Sequence, residues 1–285
     1  IKAYQESQKP PEDITVDAWA DRYRFLNEKT NEKWFTSRVA VARGPMRAVT
    51  EMGVRTITVM TATQILKTEL ILNAVGYFMH IDPCPILAVY PKEGAAKKFS
   101  HTRLKQMVKA TPVLRALVTE TKQRDSSDTT LYKEFPVGFI NIVSSRNPDD
   151  LAMLPIRIVV LDEIDKFEES SGKEGDPVDL AEERMSKFAS NCLSIRACSP
   201  TVKNLSKIEA SYESSDQRKP FVPCPHCGHK QILYWANVHW DKDEAGKAIP
   251  ETAQYFCTGC GVGWTEAERL RALQSLNDIS LWRQT

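Results

Sequence analysis

The stretch Ile156-Arg-Ile-Val-Val-Leu-Asp-Glu163 constrains this chain most. From Ile158 it is apolar at consecutive positions, so it reads as a strand buried on both faces. It stops on two adjacent carboxylates. A strand of this kind belongs to a mostly parallel sheet with helices over both faces. The neighbouring segments agree. Val54-Arg-Thr-Ile-Thr-Val-Met-Thr61 is rich in β-branched residues and alternates at period two. Leu70-Ile-Leu-Asn-Ala-Val-Gly-Tyr-Phe78 reads as helix, residues 85–90 as an apolar strand closed by Pro91, and residues 92–109 as a polar helix. Residues 137–144 and 193–201 read as further strands, residues 165–179 as an acidic loop and residues 179–188 as helix. Ahead of them, Trp19, Tyr23 and Leu26 recur at helical spacing behind an N-terminal arm. Ligands bind such sheets at the carboxyl ends of the strands, so the residues just after strands should carry the chemistry.

After the first strand comes Thr61-Ala-Thr-Gln-Ile-Leu-Lys-Thr68. A phosphate-binding loop, Gly-x-x-x-x-Gly-Lys-[Ser/Thr], occupies this place in nucleotide-binding sheets. Its amides surround the phosphates, its Lys offsets their charge and its hydroxyl reaches Mg²⁺. Lys67 and Thr68 hold the last two positions, while Thr61 and Leu66 stand where the glycines would be. A branched residue at position 66 is expected to strain the backbone or crowd the phosphate. Asp162 and Glu163 complete the pattern: the first carboxylate for Mg²⁺, the second to activate the attacking water. Asp162-Glu-Ile-Asp165 also has the form of a helicase DExD box.

A second region starts near Asp216. It holds four of the seven cysteines, as Cys224-Pro-His-Cys227-Gly and Cys257-Thr-Gly-Cys260-Gly. Four thiolates in two such pairs suit a closed, tetrahedral structural Zn²⁺ site in a ribbon carrying Trp235 and Trp240. His226 and His229 read as loop residues. Cys84, Cys192 and Cys198 read as buried thiols; an odd count without a signal peptide argues against a secreted disulfide framework. The divisions expected are 1–215, 216–265 for the zinc ribbon, and 266–285 as a tail or linker.

Lys+Arg of 38 against Asp+Glu of 37 leaves a net charge of +1, so any nucleic-acid contact must be local. Residues 92–109 supply one candidate: Lys92, Lys97, Lys98, Arg103, Lys105 and Lys109 oppose only Glu93. Such a patch contacts phosphates without reading sequence. No apolar run is long enough to cross a membrane. The chain opens on Ile1, so it reads as a fragment of a longer protein.

Taken together, these motifs resemble the ATPase portion of phage terminase large subunits of the lambda-like (GpA) branch. The anchors are Gln64-Ile-Leu-Lys-Thr-Glu69, Leu161-Asp-Glu-Ile-Asp-Lys-Phe167, Glu174-Gly-Asp-Pro177, Cys198-Ser-Pro-Thr201 and Val222-Pro-Cys-Pro-His-Cys-Gly228. The resemblance implies a RecA-like (ASCE) P-loop ATPase with ATP, Mg²⁺ and Zn²⁺ as cofactors. It assigns Thr63, Gln64, Ile65, Leu66, Lys67, Thr68, Glu69, Asp162 and Ser199 to the nucleotide, with Lys67 and Glu163 catalytic. Thr68 and Asp162 fall to Mg²⁺, and Cys224, Cys227, Cys257 and Cys260 to zinc. Its implied partners are double-stranded DNA, the terminase small subunit, the portal and further copies in a ring, all in the host cytoplasm. The family's nuclease domain would lie beyond this chain. Arg146, Arg157, Arg184 and Arg196 are candidates for a charge-stabilising arginine, and Tyr23 or Trp34 for stacking on adenine. Two other readings remain open at this stage: a DExD helicase-like translocase, and a non-hydrolysing scaffold suggested by Leu66.

Overall fold

A computed structural model describes residues 12–118 and 131–285; the first eleven residues of the N-terminal arm lie outside them. The chain divides into two compact units, Ile1–Trp34 with Pro45–Ser215, and Phe35–Gly44 with Asp216–Thr285.

The first unit is built on a six-stranded sheet: β1 (Thr56–Met60), β2 (Pro85–Tyr90), β3 (Tyr132–Phe135), β4 (Gly138–Ser144), β5 (Ile158–Asp162) and β6 (Leu193–Cys198). The spatial order is β1-β6-β5-β2-β4-β3. All neighbours run parallel except the edge pair β3–β4. The strand latest in the sequence therefore lies inside the sheet, between β1 and β5. Met60 is in register with Cys198, and Asp162 with Ala197, so the loops after β1, β5 and β6 open on one edge.

Alternation along β2 and β5 sends side chains to opposite faces. Leu87, Val89, Val159 and Leu161 pack on one face with Val178 and Ala181 of the helix Pro177–Glu183. Ile86, Ala88, Ile158 and Val160, equally buried, therefore line the other. Apolar positions at every residue are what a sheet covered on both faces requires.

Five helices of this unit matter here: α1 (Val16–Tyr23), α2 (Lys67–His80), α3 (Glu93–Phe99), α4 (Lys105–Ala110) and α5 (Pro177–Glu183). A π-helical turn, Ser100–Leu104, joins α3 to α4, so the polar helix expected over 92–109 has an irregular middle. Helix α2 is buried almost throughout its length. At Gly76, a Cβ would stand 2.2 Å from the Trp19 ring, which is itself fully buried. Alanine favours a helix interior by about 1 kcal/mol over glycine. Here overpacking should win: Gly76→Ala is expected to lower unfolding free energy by about 1–3 kcal/mol in a denaturant titration.

The second unit has short antiparallel pairs. Lys219–Pro220 (β7) pairs with Trp282–Arg283, and Val222–Pro223 (β8) with Lys230–Gln231 (β9). Val238–His239 (β10), Gln254–Phe256 (β11) and Gly263–Trp264 (β12) form a three-stranded sheet. Helix α6 (Glu266–Gln274) opens on a reciprocal capping box between Thr265 and Glu268. Ala40, Val222, Tyr255, Trp264, Ala272, Leu276 and Leu281 form its core with Cys224 and Cys257. Residues 266–285, read above as a tail, thus supply core, and residues 35–44 fold here rather than with the N-terminal arm.

Candidate functional site

Helix α2 starts at Lys67, immediately after the loop that leaves β1. The Thr61 amide donates to the Cys198 carbonyl at 3.2 Å, fixing the loop's start against β6. Within the loop the left-handed residue is Gln64, at φ 61°. Leu66 sits at φ −148°, outside the left-handed region. The left-handed backbone expected at Leu66 is therefore absent, and the conformation that costs roughly 1–2 kcal/mol in a residue with a Cβ falls on Gln64. The Leu66 side chain is 5% exposed. It packs inward instead of standing in the open loop, whereas Thr63, Gln64 and Ile65 are exposed.

The Lys67 ammonium donates to Ser199 Oγ at 2.6 Å, to the Ala62 carbonyl at 2.9 Å and to the Thr61 carbonyl at 3.4 Å. Ser199 directly follows β6, so this contact ties the helix start to the adjacent strand end. Thr68 lies in the first turn of α2. Glu69 is engaged by the buried Arg24 guanidinium, which also bonds Asn73 and lies 4.9 Å over the Trp34 ring. Trp34 is thus buried under a cation. Tyr23 contacts His80 at the far end of α2, about 20 Å along the helix from Lys67. Trp34 is closed to a base, and Tyr23, only partly buried, stands at the opposite end of α2.

On the other side of β6, Asp162 ends β5. Burial first, then the Glu163 charge, push its carboxyl up to about 6, while Lys67 pulls it down. Glu163 adopts φ 61°; its amide donates to the Ala197 carbonyl at 2.7 Å and its carboxylate pairs with Lys166 at 2.9 Å. The left-handed turn swings Glu163 off the strand line and starts a short 3₁₀ helix, Ile164–Lys166. Asp165 there accepts from the Thr201 amide and hydroxyl (3.0 and 2.9 Å) and from the Ile208 amide (2.9 Å). Burial alone would raise its pKa; these bonds, with Ser206, outweigh that and lower it. One carboxylate thereby joins the turn after β5 to the segment after β6. The sequence reading did not assign Asp165; its only signal was its place in the Asp162-Glu-Ile-Asp165 box.

Of the four arginine candidates, Arg157 pairs with Asp82 at the amino-terminal end of β5. Arg184 lies beside Glu183, where its carbonyl accepts from the Ile156 amide. Arg196 is held by Glu182 and Ser211. Arg146 follows β4 at the carboxyl edge, exposed and paired with Glu168 at 2.8 Å.

The second unit brings the sulfurs of Cys224, Cys227, Cys257 and Cys260 within 4.8 Å of one another. Cys224–Cys260 is 3.9 Å and Cys227–Cys257 is 3.8 Å. A tetrahedral ion with metal–sulfur bonds of about 2.3 Å separates its ligands by about 3.8 Å, so the donor set fits zinc. The two knuckles repeat each other. The amides of Gly228 and Gly261 donate to the carbonyls of Cys224 and Cys257 at 2.9 Å, and both glycines sit at φ 73°. The His226 amide reaches the Cys224 sulfur at 3.4 Å and the Gly259 amide that of Cys257 at 3.3 Å. Gln231 Nε2 adds a third donor, to Cys257 at 3.3 Å. Burial disfavours the Cys257 thiolate, but the amides of Cys260 and Gly259, with the Gln231 side chain and the neighbouring Cys224, bring the thiol down to about 6. The His226 side chain turns to Glu268 at 3.4 Å, away from the sulfurs.

Among the described residues no helix is long and apolar enough to cross a membrane. The sequence model of the family described as "Phage terminase large subunit gpA, ATPase domain" matches residues 29–277. The terminase large subunit of Enterobacteria phage P21 is 25% identical over 95% of the chain and 43% of its own length. That of Escherichia phage lambda is 24% identical over 99% of the chain and 45% of its own. The chain therefore spans less than half the length of these curated relatives. The crystal structure of the HK97 bacteriophage large terminase superposes with a TM-score of 0.53 at 15% identity, over 71% of this chain and 40% of that one. That likeness is one of fold.

Proposed function

We propose, from the premise that the chain belongs to the phage terminase large subunit gpA ATPase family, that it is the ATP-hydrolysing module of a DNA-packaging motor. One observation carries the reading. Lys67, Ser199, Asp162 and Glu163 come from three neighbouring strand ends and converge on one edge of the sheet, with Lys67 and Ser199 2.6 Å apart.

In this reading the triphosphate lies against loop 61–66 and the start of α2, where backbone amides and the helix dipole favour an anion. Lys67 turns from Ser199 toward the phosphates and stabilises charge developing in the transition state. The Thr68 hydroxyl and the Asp162 carboxylate are hard oxygen donors suited to Mg²⁺, which would offset charge on the phosphate oxygens. Glu163 orients the attacking water and takes its proton. Ser199, released from Lys67, reports the presence of phosphate to β6 and, through Thr201 and Asp165, to the turn carrying Glu163. Arg146 is the candidate arginine best placed to serve a neighbouring copy. Leu66, packed inward and not left-handed, leaves the loop free for the phosphates. The cationic face of α3 and α4, with Lys97, Lys98 and Lys105, meets the DNA backbone irrespective of sequence. The four cysteines hold one structural Zn²⁺. Small subunit, portal, further copies in a ring and a place in the host cytoplasm complete the assembly.

The test is ATP turnover by the purified chain with and without linear double-stranded DNA, beside Lys67→Ala. The unaltered chain should hydrolyse ATP, faster with DNA, and Lys67→Ala should lose at least ~10²-fold, the usual effect of deleting one charge-stabilising donor. No turnover together with no nucleotide affinity in the unaltered chain overturns the reading.

A further inference from the structure

Tyr90 ends β2, the strand beside β5. Val89 is in register with Leu161, so the next residues along, Tyr90 and Asp162, are side by side on adjacent strands. The alternation described above places both on the face opposite Leu87, Val89, Val159 and Leu161. Neighbouring strands lie about 4.8 Å apart, so the two side chains rise from adjacent points of the same surface. The Tyr90 ring stacks on Phe99 of α3, with centroids 4.9 Å apart and planes 29° apart, which fixes the direction of its hydroxyl. That hydroxyl is buried and has no hydrogen-bond partner among the described residues. Nearly all buried polar groups in native proteins are paired, and an exception calls for an explanation. A phenol has an ordinary pKa of about 10, so at neutral pH this hydroxyl is a donor.

We propose that Tyr90 is the positioning residue of the Asp162 carboxylate: its hydroxyl donates to one carboxylate oxygen when nucleotide loads, leaving the other directed at Mg²⁺. The proposal rests on the nucleotide-site reading given above. Carboxylates that bind metals are themselves held by hydrogen bonds from a surrounding layer, and losing such a partner typically costs 10–100-fold in metal affinity. Tyr90→Phe removes the hydroxyl and keeps the ring on Phe99.

The experiment titrates the whole chain with a fluorescent N-methylanthraniloyl ADP in EDTA and at rising Mg²⁺, with a thermal melt of each protein. For Tyr90→Phe, the Mg²⁺ concentration that half-saturates the gain in nucleotide affinity should rise at least ~10-fold. Affinity in EDTA should stay within about twofold, and the melting temperature should be equal or higher, because an unpartnered buried hydroxyl is unfavourable. A Mg²⁺ requirement within about twofold of the unaltered protein overturns the assignment. So does a lower melting temperature with an equal loss of affinity in EDTA, which marks the hydroxyl as structural. If the unaltered protein shows no Mg²⁺-dependent affinity, the nucleotide-site reading fails and this assignment fails with it.

Discussion

Glu163→Gln is expected to reduce ATP turnover by about 10²–10⁴-fold, the range supplied by a general base, while nucleotide affinity stays within a few fold. The substitution keeps the size of the side chain and its capacity to accept a hydrogen bond, and removes the basicity. It should also leave the backbone intact, since Gln64 already occupies the same left-handed region in this chain. Melting temperature separates a chemical effect from a structural one. The Glu163 side chain is 41% exposed and its ion pair with Lys166 is on the surface, so its removal changes stability little. A variant within about tenfold of the unaltered rate would take the general-base role away from Glu163.

The second large effect concerns the sulfur cluster. Metal analysis of the purified chain should return one zinc per chain, and stripping it should unfold the unit that contains it. The strands of that unit are two or three residues long, and two of its buried core residues are themselves metal-ligand candidates, Cys224 and Cys257. Without the ion, four thiols remain in contact and their thiolates repel one another. In small zinc modules the metal contributes about 10–16 kcal/mol in apparent terms, more than the stability of most domains. Cys260→Ser, or a strong chelator, should therefore remove the cooperative unfolding of this unit in a calorimetric melt while a transition from the sheet unit persists. Identical melts with and without chelator, or far less than one zinc per chain, would remove the metal from the account.

Much of the sheet unit was legible because its signals are local. The apolar run into Asp162 and Glu163, the β-branched run before Thr61 and the helix beginning at Lys67 each state their structure within ten residues. Strand order was not legible: nothing in residues 193–198 says that they insert between β1 and β5. The edge strand Tyr132–Phe135 was missed, being four residues long with charged members. The helix over Lys207–Glu213 was missed as well, although Ser206 and Glu209 carry its start signal and Ser206 Oγ accepts from the Glu209 amide at 3.2 Å. In the candidate site, residue types were readable but torsions were not. A missing glycine suggested strain at Leu66, and the structure moves the left-handed backbone to Gln64. Arg24, which engages Glu69 from 45 residues earlier in the chain, left no local signal, because such a pairing exists only after the chain has folded.

The unit built from Phe35–Gly44 and Asp216–Thr285 has a consequence for synthesis on the ribosome. Its first stretch emerges ahead of most of the sheet unit, whereas Leu276 and Leu281, which complete the core around Ala40, are added after it. At about 5–20 residues per second, the 171 residues between the stretches keep the early segment waiting for about 10–35 s. Throughout that interval Ala40 and its neighbours have no core to enter, and the nascent chain depends on whatever shields apolar surface at the exit tunnel. A chain cut at residue 215 would remain in that state permanently, so deleting the cysteine-rich region does not excise a self-contained module.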